Sequence, residues 1–344
     1  MKQHFFTSTL RALGGLFFVA SSSLTLAQTH TTTELSHTVV AATSTAATWP
    51  TKSIRIIVPF GAGSFTDIAA RTVGAELSAK LGQSIIVETK GGAGSTLGTD
   101  LVAKAAPDGY TFLVTDNSFA VSAALYDALP YSPKDIIQVS LLADAPAVLV
   151  GRPGLAPNTL KQTVEAARSQ PGKLTFGSGG QGSSAQLAME AFLLQNKLEL
   201  VHVPFKGIAP ALLEVAADRV DLAISSVGSA SAYIKEGRLL GLAVSSEKRH
   251  PSLPQVPTFA EAGFPSYKMM YWFGMMAPAG TPPAIIERMQ KEIVKAVATQ
   301  KVVEVFATTG VRAIATSSAT FTKMVQSDTN LWAEVIARAK IKPE

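Results

Sequence analysis

The residues with the most chemical promise lie in one stretch, Gly177-Ser178-Gly179-Gly180-Gln181-Gly182-Ser183-Ser184. Gly177, Gly179 and Gly182 form a G-x-G-x-x-G between an apolar run and a helical pattern, the spacing that cradles a dinucleotide pyrophosphate. Such a site also needs an acid at the end of the following strand to hold the ribose. Here that strand ends Val203-Pro204-Phe205-Lys206, and Glu199 stands at its start, the wrong end of the sheet. A nicotinamide enzyme therefore stands as an alternative without its ribose acid. The loop reads better as an anion cradle, with Ser178, Gln181, Ser183 and Ser184 as its candidate contacts.

A second loop has the same character. Pro59-Phe60-Gly61-Ala62-Gly63-Ser64-Phe65-Thr66-Asp67 runs straight from a strand pattern into a helix pattern. Its glycines permit a sharp turn and close approach to backbone amides, and a helix start favours an anion through free N–H groups and the dipole. Ser64 and Asp67 also fit a capping box that simply begins the helix, and both roles can coexist. Phe60, Gly63, Ser64, Phe65, Thr66 and Asp67 are the candidate contacts here. Asn117 and Ser118, after Asp116, stand at another turn, as cap or contact. Ser225 and Ser226 end a further strand on the same side. Gly91-Gly92-Ala93-Gly94-Ser95 precedes a helix but lacks the Lys-Ser/Thr of a P-loop.

Other chemistry is thin. There is no cysteine, no H-E-x-x-H, no G-x-S-x-G and no cluster with metal-ligand spacing, so neither metal nor cofactor is expected. Past the tail only His202 and His250 remain, read as structural. The basic residues are scattered, whereas nucleic-acid binding wants a patch. The formal charge of +5 falls to near +3 once Lys2 and Arg11 are set aside.

Those two residues open a secretory pattern: a positive start, an apolar run from Ala12 to Ala20, and small-x-small at Thr25-Leu26-Ala27. The run is too short to span a bilayer, so cleavage near Ala27 is expected, followed by a Thr/Ser/Ala tether over 28–48. Order should begin at Trp49-Pro50. Beyond it, short β-rich runs alternate with helical patterns, which argues for parallel sheets wound by right-handed crossovers. The alternation runs through 54–114 and restarts through 174–244. Extended segments at 145–150 and 268–277 would carry the chain out to a second lobe and back. The expected fold is α/β and two-lobed: 49–147 plus 276–344 as lobe 1, 148–275 as lobe 2, each a doubly wound, mostly parallel sheet, with the ligand cleft between them.

These stretches together resemble a known family, the tripartite tricarboxylate transporter receptors or Bug proteins. The resemblance rests on Ile54-Arg55-Ile56-Ile57-Val58-Pro59-Phe60 with Thr66-Asp67, on Gly92-Ala93-Gly94, and on Ala106-Pro107-Asp108-Gly109-Tyr110-Thr111. It continues through Pro171-Gly172-Lys173-Leu174-Thr175, Val203-Pro204-Phe205-Lys206-Gly207, Pro254-Gln255-Val256-Pro257-Thr258 and Ala277-Pro278-Ala279-Gly280-Thr281-Pro282. It implies a type II periplasmic binding-protein fold, no catalysis, and delivery of a small carboxylate to a permease of one large and one small subunit. It implies ligand contacts at Phe60, Gly63, Ser64, Thr66, Asp67, Ser178, Ser183 and Ser184. The family usually has a second Gly where Ser64 stands, often Pro at Phe65, and often Asp-Asn at Ser225-Ser226.

With both cradles at helix starts, a dicarboxylate is the expected ligand, one end to each lobe. Phe65, if turned inward, would touch a ring between them; an exposed Phe65 is the other option. The protein is expected to act as a monomer. A periplasmic sensor feeding a signalling partner is the alternative to transport.

Overall fold

The computed structural model describes residues 48–156, 158–339 and 341–342. The expected signal peptide and nearly all of the tether lie outside them. Among the described residues, no helix is long and apolar enough to cross a membrane, and no group of three His, Cys, Asp or Glu could hold a metal ion.

The first strand shows how the sheet reads its sequence. In β1 (Ile54–Val58) Ile54, Ile56, Ile57 and Val58 are buried while Arg55 points out. Arg55 Nε donates to Glu88 on the neighbouring strand at 2.8 Å. Helix α1 (Phe65–Leu81) follows, burying Ala69, Ala70, Val73, Gly74, Leu77 and Leu81 at helical spacing. It stops at Gly82, whose φ of 68° is the left-handed conformation that glycine adopts at a helix end. Next come β2 (Ile85–Thr89), a 3-10 turn at Ala93–Ser95 leading into α2 (Thr96–Ala103), β3 (Thr111–Asp116) and α3 (Ser118–Leu125). Strands β2, β1 and β3 pair in parallel.

Strand β4 (Ile136–Gly151), 16 residues long, pairs with strands of both halves of the sheet. Beyond it lie α4 (Leu160–Ser169), β5 (Thr175–Ser178), α5 (Ser184–Asn196), β6 (Val201–Pro204), α6 (Ile208–Ala216), β7 (Leu222–Ser226), α7 (Val227–Lys235) and β8 (Leu240–Val244). The chain returns through β9 (Met270–Pro278) and ends in α8 (Pro283–Val297), α9 (Gln300–Thr309), β10 (Arg312–Ala313) and α10 (Ser318–Ala339). The sheet order is β2-β1-β3-β9-β4-β7-β5-β6, with β8 and β10 also on β4. Residues 136–146 of β4 pair antiparallel with β9, and 147–151 pair with β7. One strand thus belongs to both halves, each of which keeps three parallel strands beside antiparallel crossing strands.

The pairing locates the crossings. β4 changes partners at Pro146/Ala147, one residue before the expected cut. The second cut, at 275/276, falls inside β9, which pairs with β4 from Met270 to Pro278 in the first half. The chain has therefore already returned by Met270. The run 268–277 reads as one extended segment, and nothing local marks which sheet receives it.

A candidate ligand cleft between the two halves

Two helix starts, one in each half, share one local design. Ser64 precedes α1, and its Oγ accepts from Asp67 N at 3.3 Å. Asp67 Oδ2 in turn accepts from Gly63 N at 3.2 Å, and Oδ1 from Arg71 Nε at 2.8 Å. Ser183 precedes α5, and its Oγ accepts from Gln186 N at 3.3 Å, while Gln186 Oε1 accepts from Gly182 N at 2.8 Å. Gly63 and Gly182 stand just before the caps with φ of 85° and 70°, which a side chain would strain. In both, the third helical residue and the cap serine absorb the outer amides. The amide of the first helical residue is then taken by a hydroxyl from across the cleft: Phe65 N donates to Ser229 Oγ (3.2 Å), and Ser184 N to Ser118 Oγ (2.9 Å).

Between these helix starts lies a cavity lined by Phe60, Ser64 and Thr66 around the first loop and by Asp116 and Ser118 at the end of β3. The second half supplies Gly179, Ser183, Ser184, Ala185, Ile208, Ser225, Ser226 and Ser229, and β9 supplies Tyr271 and Phe273. No Lys, Arg or His is among them. Its volume is ≈ 20 Å³, about what one or two waters need. The halves are closed on each other. A methyl group added at Gly94 would lie 2.3 Å from Gln181 O.

Of the candidate residues, Phe60, Ser64, Thr66, Ser118, Ser183, Ser184, Ser225 and Ser226 line this cavity. Six stand behind it. Gly63 and Asp67 build the first cap. Phe65 is neither turned into the cleft nor exposed. It is wholly buried, edge-on to Phe273 and Phe306 with ring centroids 4.6 and 5.1 Å away. Asn117 is a brace: its Nδ2 donates to Asp328 Oδ2 on α10 and its Oδ1 accepts from Trp272 N. Ser178 Oγ lies 2.6 Å from His202 Nε2, in a ring stacked on Phe176. Burial pushes His202 down to about 4, so at neutral pH it is an uncharged part of the loop's support. Gln181 donates from Nε2 to Lys342 O and accepts from Gln186.

Three polar residues of the lining were not candidates. Ser229 is the third residue of a helix capped by Ser226, a spacing visible in sequence. Tyr271 alternates with Phe273 along β9, the period-2 mark of a shared face. Its hydroxyl is buried without a hydrogen-bond partner. Asp116 ends β3, and its Oδ1 accepts from Ser118 N at 2.8 Å and its Oδ2 from Ser184 Oγ at 3.3 Å. Burial pushes this carboxyl up to about 6, against the pull of its bonds from Ser118 and Ser184.

That shift has a sign. Folded Asp116 keeps its proton to higher pH than the unfolded chain, whose Asp titrates near 4. Its contribution to stability is full below about pH 4 and is lost as pH rises to about 6, a loss of roughly 2–3 kcal/mol. Asp116→Asn keeps the shape and the oxygen for Ser118 N. In the absence of carboxylates it should melt above the parent at pH 7.5 and level with it at pH 4, by calorimetric scans. A variant that melts lower at both pH values would show that the buried charge costs nothing.

Residues 69–341 match the model described as "Tripartite tricarboxylate transporter family receptor". The chain is 37% identical over 295 residues to the UPF0065 protein in the tcbD-tcbE intergenic region of Pseudomonas sp. strain P51, covering 85% of this chain and 88% of that protein. It is 35% identical to BugT of Bordetella pertussis, covering 88% and 94%. Among solved structures, Rhodopseudomonas palustris Rpa4515 with adipate aligns at TM-score 0.82 and 30% identity, over 86% of this chain and all of that one. MatC from the same organism, with bound malate, aligns at 0.80 and 29%, over 84% and all of that chain. The periplasmic binding protein BugD aligns at 0.82 and 30%, over 86% and all of that chain. Matched over most of its length by this family model and by these relatives, the chain belongs to the tripartite tricarboxylate transporter receptors, the Bug family of periplasmic solute-binding proteins.

Proposed function

We propose that this receptor captures a small dicarboxylate, aliphatic or aromatic, in the cleft between its halves and delivers it to a tripartite membrane permease of one large and one small subunit. In this reading it works as a monomer, exported through a signal peptide cut near Ala27. Residues 49–146 with 270–342 form one lobe of the clamp and 147–269 the other. The observation that carries the reading is the pair of helix starts, with Ser64 and Thr66 at one and Ser183 and Ser184 at the other lining the same cavity. A carboxylate is favoured at such amides, and a ligand with two of them engages both lobes, as clamp closure requires. The malate and adipate bound by similar proteins belong to this ligand class. One observation favours a second reading: Asp116 in the lining could pair with the ammonium of an acidic amino acid.

Thermal shifts and calorimetry on the purified protein separate the two. C4–C6 diacids and terephthalate should raise its stability, by roughly 2.7 kcal/mol at a hundredfold excess over Kd, and benzoate should not. Tight binding of aspartate or glutamate with no response to any diacid would sink the dicarboxylate reading.

A further inference from the structure

Within the proposed dicarboxylate site, one feature is chemically awkward: its only ionisable acid faces the space where an anion would lie. Asp116 is 8% exposed, lines the cavity, and has both oxygens already accepting bonds. The lining has no cation to offset a second negative charge. Two carboxylates confined side by side in a buried site cannot both stay ionised, and such pairs share one proton. Tyr271, on the adjacent strand, lines the same cavity and has a buried hydroxyl with no partner. A phenol donates to one oxygen of a carboxyl group, and Asp116 can accept the O–H of the other.

The surroundings of Asp116 leave no other carrier for the charge. From β9 the titratable group that faces it is the phenol of Tyr271. From α3 and α5 come the hydroxyls of Ser118 and Ser184, and Glu190, the acid of α5, stands almost two turns beyond Ser184. Asp328 on α10 is engaged by Asn117 and by Trp272 Nε1. In the first loop Asp67 is held by Arg71 and Gly63 N.

We infer that Asp116 and Tyr271 form an acid-recognising end of the cleft, which holds one carboxyl of the diacid in its protonated form, so that one proton enters with each ligand. The proton comes from solvent and is shared between the ligand carboxyl and Asp116; the other carboxylate stays ionised at the helix amides. The raised proton affinity of buried Asp116 acts in the same direction. This inference rests on the dicarboxylate reading and goes further, because it fixes the charge state that the site selects.

The test is titration calorimetry of the full protein with adipate and with succinate at pH 7.5, repeated in phosphate and in Tris. These buffers differ widely in ionisation enthalpy, so the difference in observed heat counts protons. The expected result is close to one proton taken up per ligand, with Kd rising about tenfold per pH unit above pH 7. Asp116→Asn should take up far fewer protons and lose most of that pH dependence. Diacid binding by the parent with no proton uptake would overturn the inference while leaving the dicarboxylate reading intact. Full uptake retained in a folded Asp116→Asn variant would also overturn it. Binding of glutamate without uptake and of no diacid overturns both, because an ammonium would then be the partner of Asp116.

Discussion

Gly94→Ala should weaken ligand binding by roughly 10- to 100-fold while leaving a folded protein. Gly94 sits in the 3-10 turn of the first half with φ of 59°. A Cβ there would lie 2.3 Å from Gln181 O and 3.1 Å from the Gly182 carbonyl carbon, both backbone atoms of the second half. Backbone cannot rotate away as a side-chain end can, and forcing one methyl into a packed contact costs about 1–3 kcal/mol. Two costs separate cleanly. The left-handed conformation strains alanine whether the clamp is open or shut, so it lowers Tm and cancels from affinity. The clash arises only on closure, so it enters Kd, at about 1.4 kcal/mol per tenfold. Calorimetry with the tightest diacid measures the loss. Scattering on the saturated variant should give a larger radius of gyration than the saturated parent. An unchanged Kd would mean that the halves do not need to meet here.

Phe65→Ala should cost about 3–5 kcal/mol of stability. The ring is wholly buried between Phe273 of β9 and Phe306 of α9. It also lies against α7, where a Cβ at Gly228 would stand 2.7 Å from it. Three elements distant in sequence meet on that side chain, so the gap left by truncation has little freedom to collapse. Urea unfolding should show a lower midpoint at an unchanged slope. A loss under about 1 kcal/mol would mean that the site repacks.

Phe65 also shows where the sequence stops informing. Its helix start was legible, because capping depends on residues three apart: Ser64 with Asp67, and Ser183 with Gln186. The direction of its ring was not, because Phe273 and Phe306 come from more than 200 residues away. The βα alternation of both halves was readable for the same local reason. Strand β4 was visible from Ala145 onward, where it is uniformly apolar, but not over Ile136–Asp144. There Gln138, Ser140 and Asp144 interrupt the pattern, and their partners are Thr322, Thr316 and Arg312 from the C-terminal segment. Register shifts between Gln138 and Ser140 and between Leu141 and Ala143 blur the alternation further. Tyr271 escaped notice because extended backbone puts alternate residues on one face, and only the sheet order tells which face meets the cleft.

The two amides that begin α1 and α5 have a consequence for the speed of the clamp. Each already holds a hydroxyl from the opposite half, Ser229 for Phe65 and Ser118 for Ser184. In the proposed site, the ligand's ionised carboxylate would not add a bond to an empty donor at such an amide; it would swap a serine for an oxyanion. The gain is the difference between a charge-assisted bond and a neutral one, smaller than either alone. On departure the serine steps back, so the amide is never left bare in a dry interior, where an unmet donor is expensive. Release then proceeds by substitution and avoids the barrier of an orphaned amide. For a receptor that must release what it binds, such an arrangement favours turnover at the expense of grip.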